Sequence, residues 1–243
     1  MTGFYSEIIT RIAIFLYGLW IGGLATTIYN RIPNEIPIGP TQKPRCNNCG
    51  NEIKFKYFFP VIGYFLSNGK CVHCGMKIPR VYLLLELSIL IYTLVLCLTF
   101  DTFNEKFLST SLYGAFLITL LFIYHAKKQI KIRLVWMLVA FILAFRGYNN
   151  LLPDVIDLFI SGVLSYASFY LIRKNVKIEI PELEMCVILM TSFGYIISLI
   201  FFALTILLKF VNKFKAIQEN KFVQKINVVY IPLILGLILT FFI

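Results

Sequence analysis

Charge is what this sequence has least of. Only 14% of its 243 residues are charged, against roughly 25% in an ordinary soluble domain. Hydrophobic residues make up 59%, and the mean hydropathy is +0.80. That balance excludes a conventional soluble globular fold. Acid is scarcest of all: 12 Asp and Glu stand against 23 Lys and Arg, and three of the acids are aspartates (Asp101, Asp154 and Asp157). No small-residue cleavage site follows the first apolar run, so that run is expected to stay as an anchor. In so apolar a chain the net charge of +11 bears on topology and lipid contact, not on nucleic-acid binding.

What is present is a set of apolar runs of about 20 residues, long enough to cross a bilayer, and one polar island. The island runs from Arg45 to Arg80. Cys46 and Cys49 form one C-x-x-C knuckle, Cys71 and Cys74 a second, with 21 residues between the pairs. Gly50 and Gly75 follow the pairs, where the chain must turn back past the sulfurs. Four thiolates at this spacing suit a closed, tetrahedral structural zinc site with no position left for a catalytic water. Two disulfides or four unrelated thiols are the competing readings. Cys97 and Cys186 lie in apolar runs and read as small buried hydrophobes. His73, inside the second knuckle, reads as a turn residue. Reduced cysteines place the loop in the cytoplasm.

The predicted fold is all-α and polytopic, with about seven transmembrane helices and a small cytoplasmic four-cysteine zinc-binding domain. Three parts are expected: a first transmembrane helix over 1–30, the zinc-knuckle domain over 31–80, and a helical bundle over 81–243. Span one, Ile12–Ile28, has an amphipathic lead with Glu7 and Arg11. Its Gly18, Gly22 and Gly23 invite close approach of a neighbour. The loop after it holds eight Lys/Arg against Glu35 and Glu52, a positive-inside signature. Span two covers Val81–Phe100 and carries Glu86 near its cytoplasmic end, where an unpaired charge is costly and must face the protein interior or the loop. A bond to Tyr82, snorkelling, and contact with a bound amine are its three open roles. Spans three to five follow at Phe107–Ala126, Leu134–Phe145 and Leu151–Ile172. The run Met185–Leu208 crosses once or bends at Gly194, which leaves the side of the five lysines in 209–225 open. Ile226–Ile243 is the last span.

Several stretches resemble the bacterial type IV prepilin peptidases, which cleave prepilin leaders and N-methylate the new amino terminus. Gly22 to Pro33 is similar to that family's G-S-F-L-N-V-x-I-x-R-L-P, with Gly23 and Thr26 in place of its Ser and Asn. The four-cysteine loop is similar in spacing, including Pro60, Gly69-Lys70-Cys71, Tyr82 and Glu86. Ile231-Pro232-Leu233-Ile234-Leu235-Gly236 resembles the family's terminal G-P-F-L-A-L-G. The resemblance implies a multi-pass protein of the bacterial inner membrane, with type IV prepilin or pseudopilin precursors and membrane lipids as partners. It also implies structural zinc and, by resemblance alone, S-adenosylmethionine, since no glycine-rich loop points to that donor. Glu86 matches a family acid associated with methyl transfer.

The chain departs from the family at its catalytic aspartates. There is no G-x-G-D, and the two expected positions fall near His125 and Glu182. The catalytic residues are therefore unassigned, with Glu182, His125 and Glu86 as candidates, and proteolysis is in question. Asp154 and Asp157 share a helix face but read as first-turn residues favoured by the helix dipole. The alternative function is a non-catalytic scaffold of a pilus, competence or secretion system that docks partners through its zinc loop.

Overall fold

The computed structural model describes residues 2–37, 43–100, 103–127, 155–173 and 198–203, with single helical positions elsewhere between 134 and 238. Among these residues the fold is helical, and β structure is limited to two isolated bridges. Of the sequence expectations, Asp101, Asp154, Glu182 and Cys186 lie outside the described residues, as do most of the spans beyond residue 173. The chain divides into two compact units, one of residues 1–128 with 239–243 and one of 129–238.

The first unit is built on three long helices, α1 (Thr2–Arg31), α4 (Arg80–Leu96) and α5 (Glu105–Lys127), each packed on the other two. Two short helices, α2 (Phe55–Phe58) and α3 (Ile62–Leu66), lie in the loop between α1 and α4. The amphipathic lead is simply the start of α1, and Glu7 pairs with Arg11 one turn on. Two segments, Glu7–Arg31 and Glu105–Ala126, are long and apolar enough to cross a membrane. α1 leaves Ile9, Ile12, Phe15, Leu16 and Trp20 exposed. A face of that kind is expected against lipid rather than water.

The glycines explain how α1 and α4 meet. A Cβ on Gly18 would run into Thr93, and one on Gly22 would sit 3.4 Å from the Cα of Glu86. The expected close approach is there at both positions. Gly23 faces Pro60 of the loop instead of a helix: a Cβ would lie 2.8 Å from the proline ring. Between α4 and α5 the small partner is Gly114, against which the Tyr92 ring lies. The Tyr92 hydroxyl donates to the Thr110 carbonyl at 3.3 Å. Tyr17 of α1 donates to Leu108 O at 3.0 Å. Such bonds add polar contacts between helices packed in an apolar surround.

α4 stops at Leu96, four residues short of the expected span end at Phe100. Residues 97–99 form a turn, and the Thr99 hydroxyl donates to the Leu96 carbonyl at 2.7 Å, satisfying one of the acceptors a helix end leaves open. α5 starts two residues earlier than expected because Asn104 caps it, its Oδ1 accepting the Phe107 N–H at 2.8 Å.

In the second unit, α6 (Val155–Arg173) buries Ser161, Ser165, Ser168 and Phe169. Ser165 bonds Ser198 at 3.1 Å and the rings of Phe169 and Phe201 lie 5.1 Å apart. Small hydroxyl residues thus form the contact with the helical stretch 198–203. Asp157 stands in the first turn of α6, where the dipole favours it.

Candidate metal centre and the chamber beside it

The two knuckles are built alike. Cys46 N–H donates to Asn51 O at 3.0 Å and Gly50 N–H to Cys46 O at 2.9 Å; in the second, Cys71 N–H donates to Met76 O and Gly75 N–H to Cys71 O, both at 2.8 Å. Each closes with an antiparallel bridge, Arg45 to Glu52 and Lys70 to Lys77. Gly50 and Gly75 have φ of 70° and 71°, the left-handed region that an L side chain disfavours. Both turn glycines therefore do what the sequence required of them.

The four sulfurs lie within 4.8 Å of one another, with Cys46 Sγ to Cys74 Sγ at 3.9 Å and Cys49 Sγ to Cys71 Sγ at 4.0 Å. A tetrahedron with Zn–S near 2.3 Å has sulfur–sulfur edges of about 3.8 Å. The donor set can therefore bind zinc. All four cysteines are free thiols, so the disulfide alternative is not what this structure contains. His73 sits in the second knuckle's turn, exposed and outside the donor group.

The thiols differ from one another in acidity. Backbone N–H groups of Cys49 and Asn48 hold the Cys46 thiol down to about 6. The Met76 N–H, with the Asn48 side chain, holds Cys74 below the ordinary thiol value. At Cys49 the Asn51 N–H also favours the thiolate, but burial and the neighbouring sulfurs outweigh it and push the thiol up to about 11. One sulfur is ready to ionise while another resists doing so beside it. A dication among them removes the conflict.

Beside the knuckles lies a cavity of about 430 Å³, lined by the knuckles, the α2–α3 segment and the adjoining ends of α1 and α4. Thr26, Asn30, Tyr82 and Glu86 supply polar groups, Tyr57, Phe58, Phe59 and Tyr64 aromatic ones, and Arg31, Lys43, Arg45, Lys70 and Lys77 positive charge. Asn30 ties three elements together: its Oδ1 accepts from Asn47 Nδ2 of the first knuckle and from the Tyr82 hydroxyl of α4, each at 3.2 Å.

Glu86 has a partner the sequence did not suggest. Its Oε2 accepts the Val61 backbone N–H at 2.7 Å and its Oε1 accepts from the Thr26 hydroxyl at 3.3 Å. The bond to Tyr82 is not made, since Tyr82 goes to Asn30, and the carboxylate is held inward rather than snorkelling. Contact with a bound amine stays open, because Glu86 lines the cavity. Sequence reasoning singled out Thr26 only as a departure from the family pattern and did not single out Asn30 or Asn47, whose only signal was a polar residue on or beside an otherwise apolar helix end. His125 stands exposed in the last turn of α5, and its proposed partner Glu182 lies outside the described residues. The structure therefore places Glu86 in the lining of the same cavity as Cys46 and Cys71.

Two helices long and apolar enough to cross a membrane, with a four-cysteine loop beside a chamber, suggest a helical membrane protein with a four-cysteine domain that could bind a metal. Comparison with known proteins is more particular. Residues 16–100 match the bacterial peptidase A24 N-terminal domain. The whole chain is similar to the prepilin leader peptidase/N-methyltransferase of Vibrio cholerae, 23% identical over 249 residues that cover 97% of this chain and 96% of the relative. No solved structure matches. Both comparisons therefore point to the prepilin peptidases as what this chain is similar to.

Proposed function

We propose that this protein handles type IV prepilin or pseudopilin precursors at the bacterial inner membrane, and that the chamber is where the processed amino terminus is received. The observation that carries the reading is Glu86: a carboxylate lining a cavity next to the knuckles, within the stretch that matches the A24 N-terminal domain. An amino terminus brings positive charge, and a partly enclosed carboxylate is the group to hold it. The aromatic lining suits the hydrophobic side chains that begin a membrane-anchored substrate. At about 430 Å³ the cavity lies in the range of small-molecule sites. The same space can therefore take a donor of the S-adenosylmethionine class beside Glu86 and Asn30, which when bound would supply a methyl group.

Cys46, Cys49, Cys71 and Cys74 would hold zinc in a structural role, joining the two knuckles at the chamber's outer wall. The eight-to-two excess of basic residues in the loop supports a cytoplasmic position for it. A multi-pass bundle of about seven helices would carry that loop. Leader cleavage is the weaker half of the reading, because the G-x-G-D aspartate is absent from the sequence.

The test is co-expression with candidate prepilins in a host without its own prepilin peptidase, read by mass spectrometry for leader loss and N-methylation. N-methylation of pre-cut substrate that disappears in Glu86→Gln, with zinc content unchanged, is the expected result. Cleavage abolished by Glu182→Ala or His125→Ala would assign a new catalytic pair. No modification, with prepilin still retained by the zinc-loaded protein, would make it a scaffold instead.

A further inference from the structure

We propose that the α2–α3 hairpin, Phe55–Leu66, is inserted into the lipid bilayer interface, and that its partner is the acyl-chain and anionic headgroup boundary, not water. The first observation is depth. Pro60, at the hairpin's tip, packs on Gly23, and Val61 N–H bonds Glu86. Gly23 lies eight residues before Arg31 at the end of α1, and Glu86 six residues after Arg80 at the start of α4. At 1.5 Å per residue the tip therefore sits about 9–12 Å inward of those two arginines along α1 and α4. An interfacial element is buried about 5–10 Å into the headgroup and acyl boundary, so the two depths agree.

The second observation is what the hairpin shows to its surroundings. Phe55 is 77% exposed, Phe65 63% and Leu66 57%, with Ile62 also exposed. α2 buries no side chain at all, and α3 buries only Gly63, which lies against the Tyr57 carbonyl. At this depth an apolar side chain left uncovered by protein meets lipid. The apolar surface continues that of α1, where Trp20 and Leu24 are exposed beside the same packing site.

The third is charge. Lys54, Lys56 and Lys70 flank the apolar residues and are exposed, and Lys56 lies over the Tyr57 ring at 4.8 Å. Lysines beside aromatics at the edge of an apolar patch match an anionic leaflet, with stems along the surface and ammonium groups among the phosphates. The hairpin is thus a second membrane contact, separate from the knuckles at its base. It stands on the membrane placement of α1 and α4 and does not depend on what the chamber binds.

The experiment uses the full chain in phosphatidylcholine/phosphatidylglycerol vesicles whose lipids carry bromine near the headgroup or near the bilayer centre. In a Trp20→Phe, Trp136→Phe background, Phe65→Trp and Phe55→Trp are made separately, with Val72→Trp on the exposed second knuckle as the aqueous reference. Unchanged zinc content shows that each variant is folded. Blue-shifted emission from Phe65→Trp or Phe55→Trp, losing most of its intensity to the shallow bromines while Val72→Trp is unaffected, is the expected result. Emission as red and as poorly quenched as that of Val72→Trp overturns the proposal. Blue-shifted emission that no bromine quenches also overturns it, and assigns the patch to a protein cover. Quenching of Trp20 in the Trp136→Phe protein separates failure of the hairpin from failure of the membrane placement itself.

Discussion

Replacing either knuckle glycine by alanine tests whether the metal site has the backbone described. At Gly50 and Gly75 a Cβ would meet nothing within 4 Å, so there is no clash to confuse the result. The whole penalty is conformational. With φ at 70° and 71°, an L residue is disfavoured by about 1–2 kcal/mol. Because a knuckle takes this shape in the metal-bound state and not in the unfolded loop, the cost falls on zinc affinity. One kcal/mol is about fivefold and two about thirtyfold, so Gly50→Ala and Gly75→Ala should each weaken zinc binding by roughly that range and by similar factors. The double variant should lose more than either single one, but not their simple product, since the two turns touch, with Asn48 Nδ2 3.7 Å from Cys74 Sγ. Asparagine, which tolerates this region, should recover part of the loss at either position. The assay is competition for zinc against a chelator of comparable affinity, on the full chain in detergent or nanodiscs. Unchanged affinity in both single variants would refute the turn geometry, and a loss far beyond thirtyfold would show that something other than φ had been removed.

Three further outcomes follow from the same geometry. Glu86→Leu removes the acceptor of the part-buried Val61 N–H, a loss of up to about 1–3 kcal/mol if the donor is left unsatisfied, whereas Glu86→Gln keeps one. Amide exchange over residues 55–66 should accelerate in the first and change little in the second. Gly22→Leu should separate α1 from α4 at a cost of about 1–3 kcal/mol, read as a lower melting temperature than wild type or Gly22→Ala. Stripping zinc with a chelator should loosen the loop backbone and speed trypsin cleavage at the already exposed Lys54 and Lys56 while the α1, α4 and α5 core stays protected; a loop cut equally with and without metal would contradict the structural role given to zinc.

The parts of this fold that were legible in the sequence are those whose information is local. Cysteine spacing with a following glycine specifies a knuckle because the turn and the ligands lie within five residues. Gly18 and Gly22 announced a close helix contact because only their lack of a side chain could explain them in an apolar helix. The chamber was not legible. It exists because Pro60 returns to Gly23, 37 residues earlier, and no periodicity records such a meeting. Glu86 could be recognised as an acid in need of a partner, but the partner is the backbone N–H of Val61, and a backbone group has no sequence signature. The end of α4 was misjudged for a related reason: Cys97 to Phe100 is apolar enough to continue a span, and only the turn closed by Thr99 shows that it does not.

The segment between Cys49 and Cys71 is best regarded as a closed ring. Its 21 residues are pinched together at one side by the four sulfurs and fastened at the opposite side, through Pro60 and Val61, to α1 and α4. A ring held at two opposite points has a fixed perimeter, so its opening is set by chain length rather than by side-chain size. Adding or deleting a residue between 51 and 70 would leave the knuckles and the helices each intact, and would change instead the width of the space between them. Chain length inside the ring, more than any single residue lining the cavity, is then the quantity that gauges what the chamber admits.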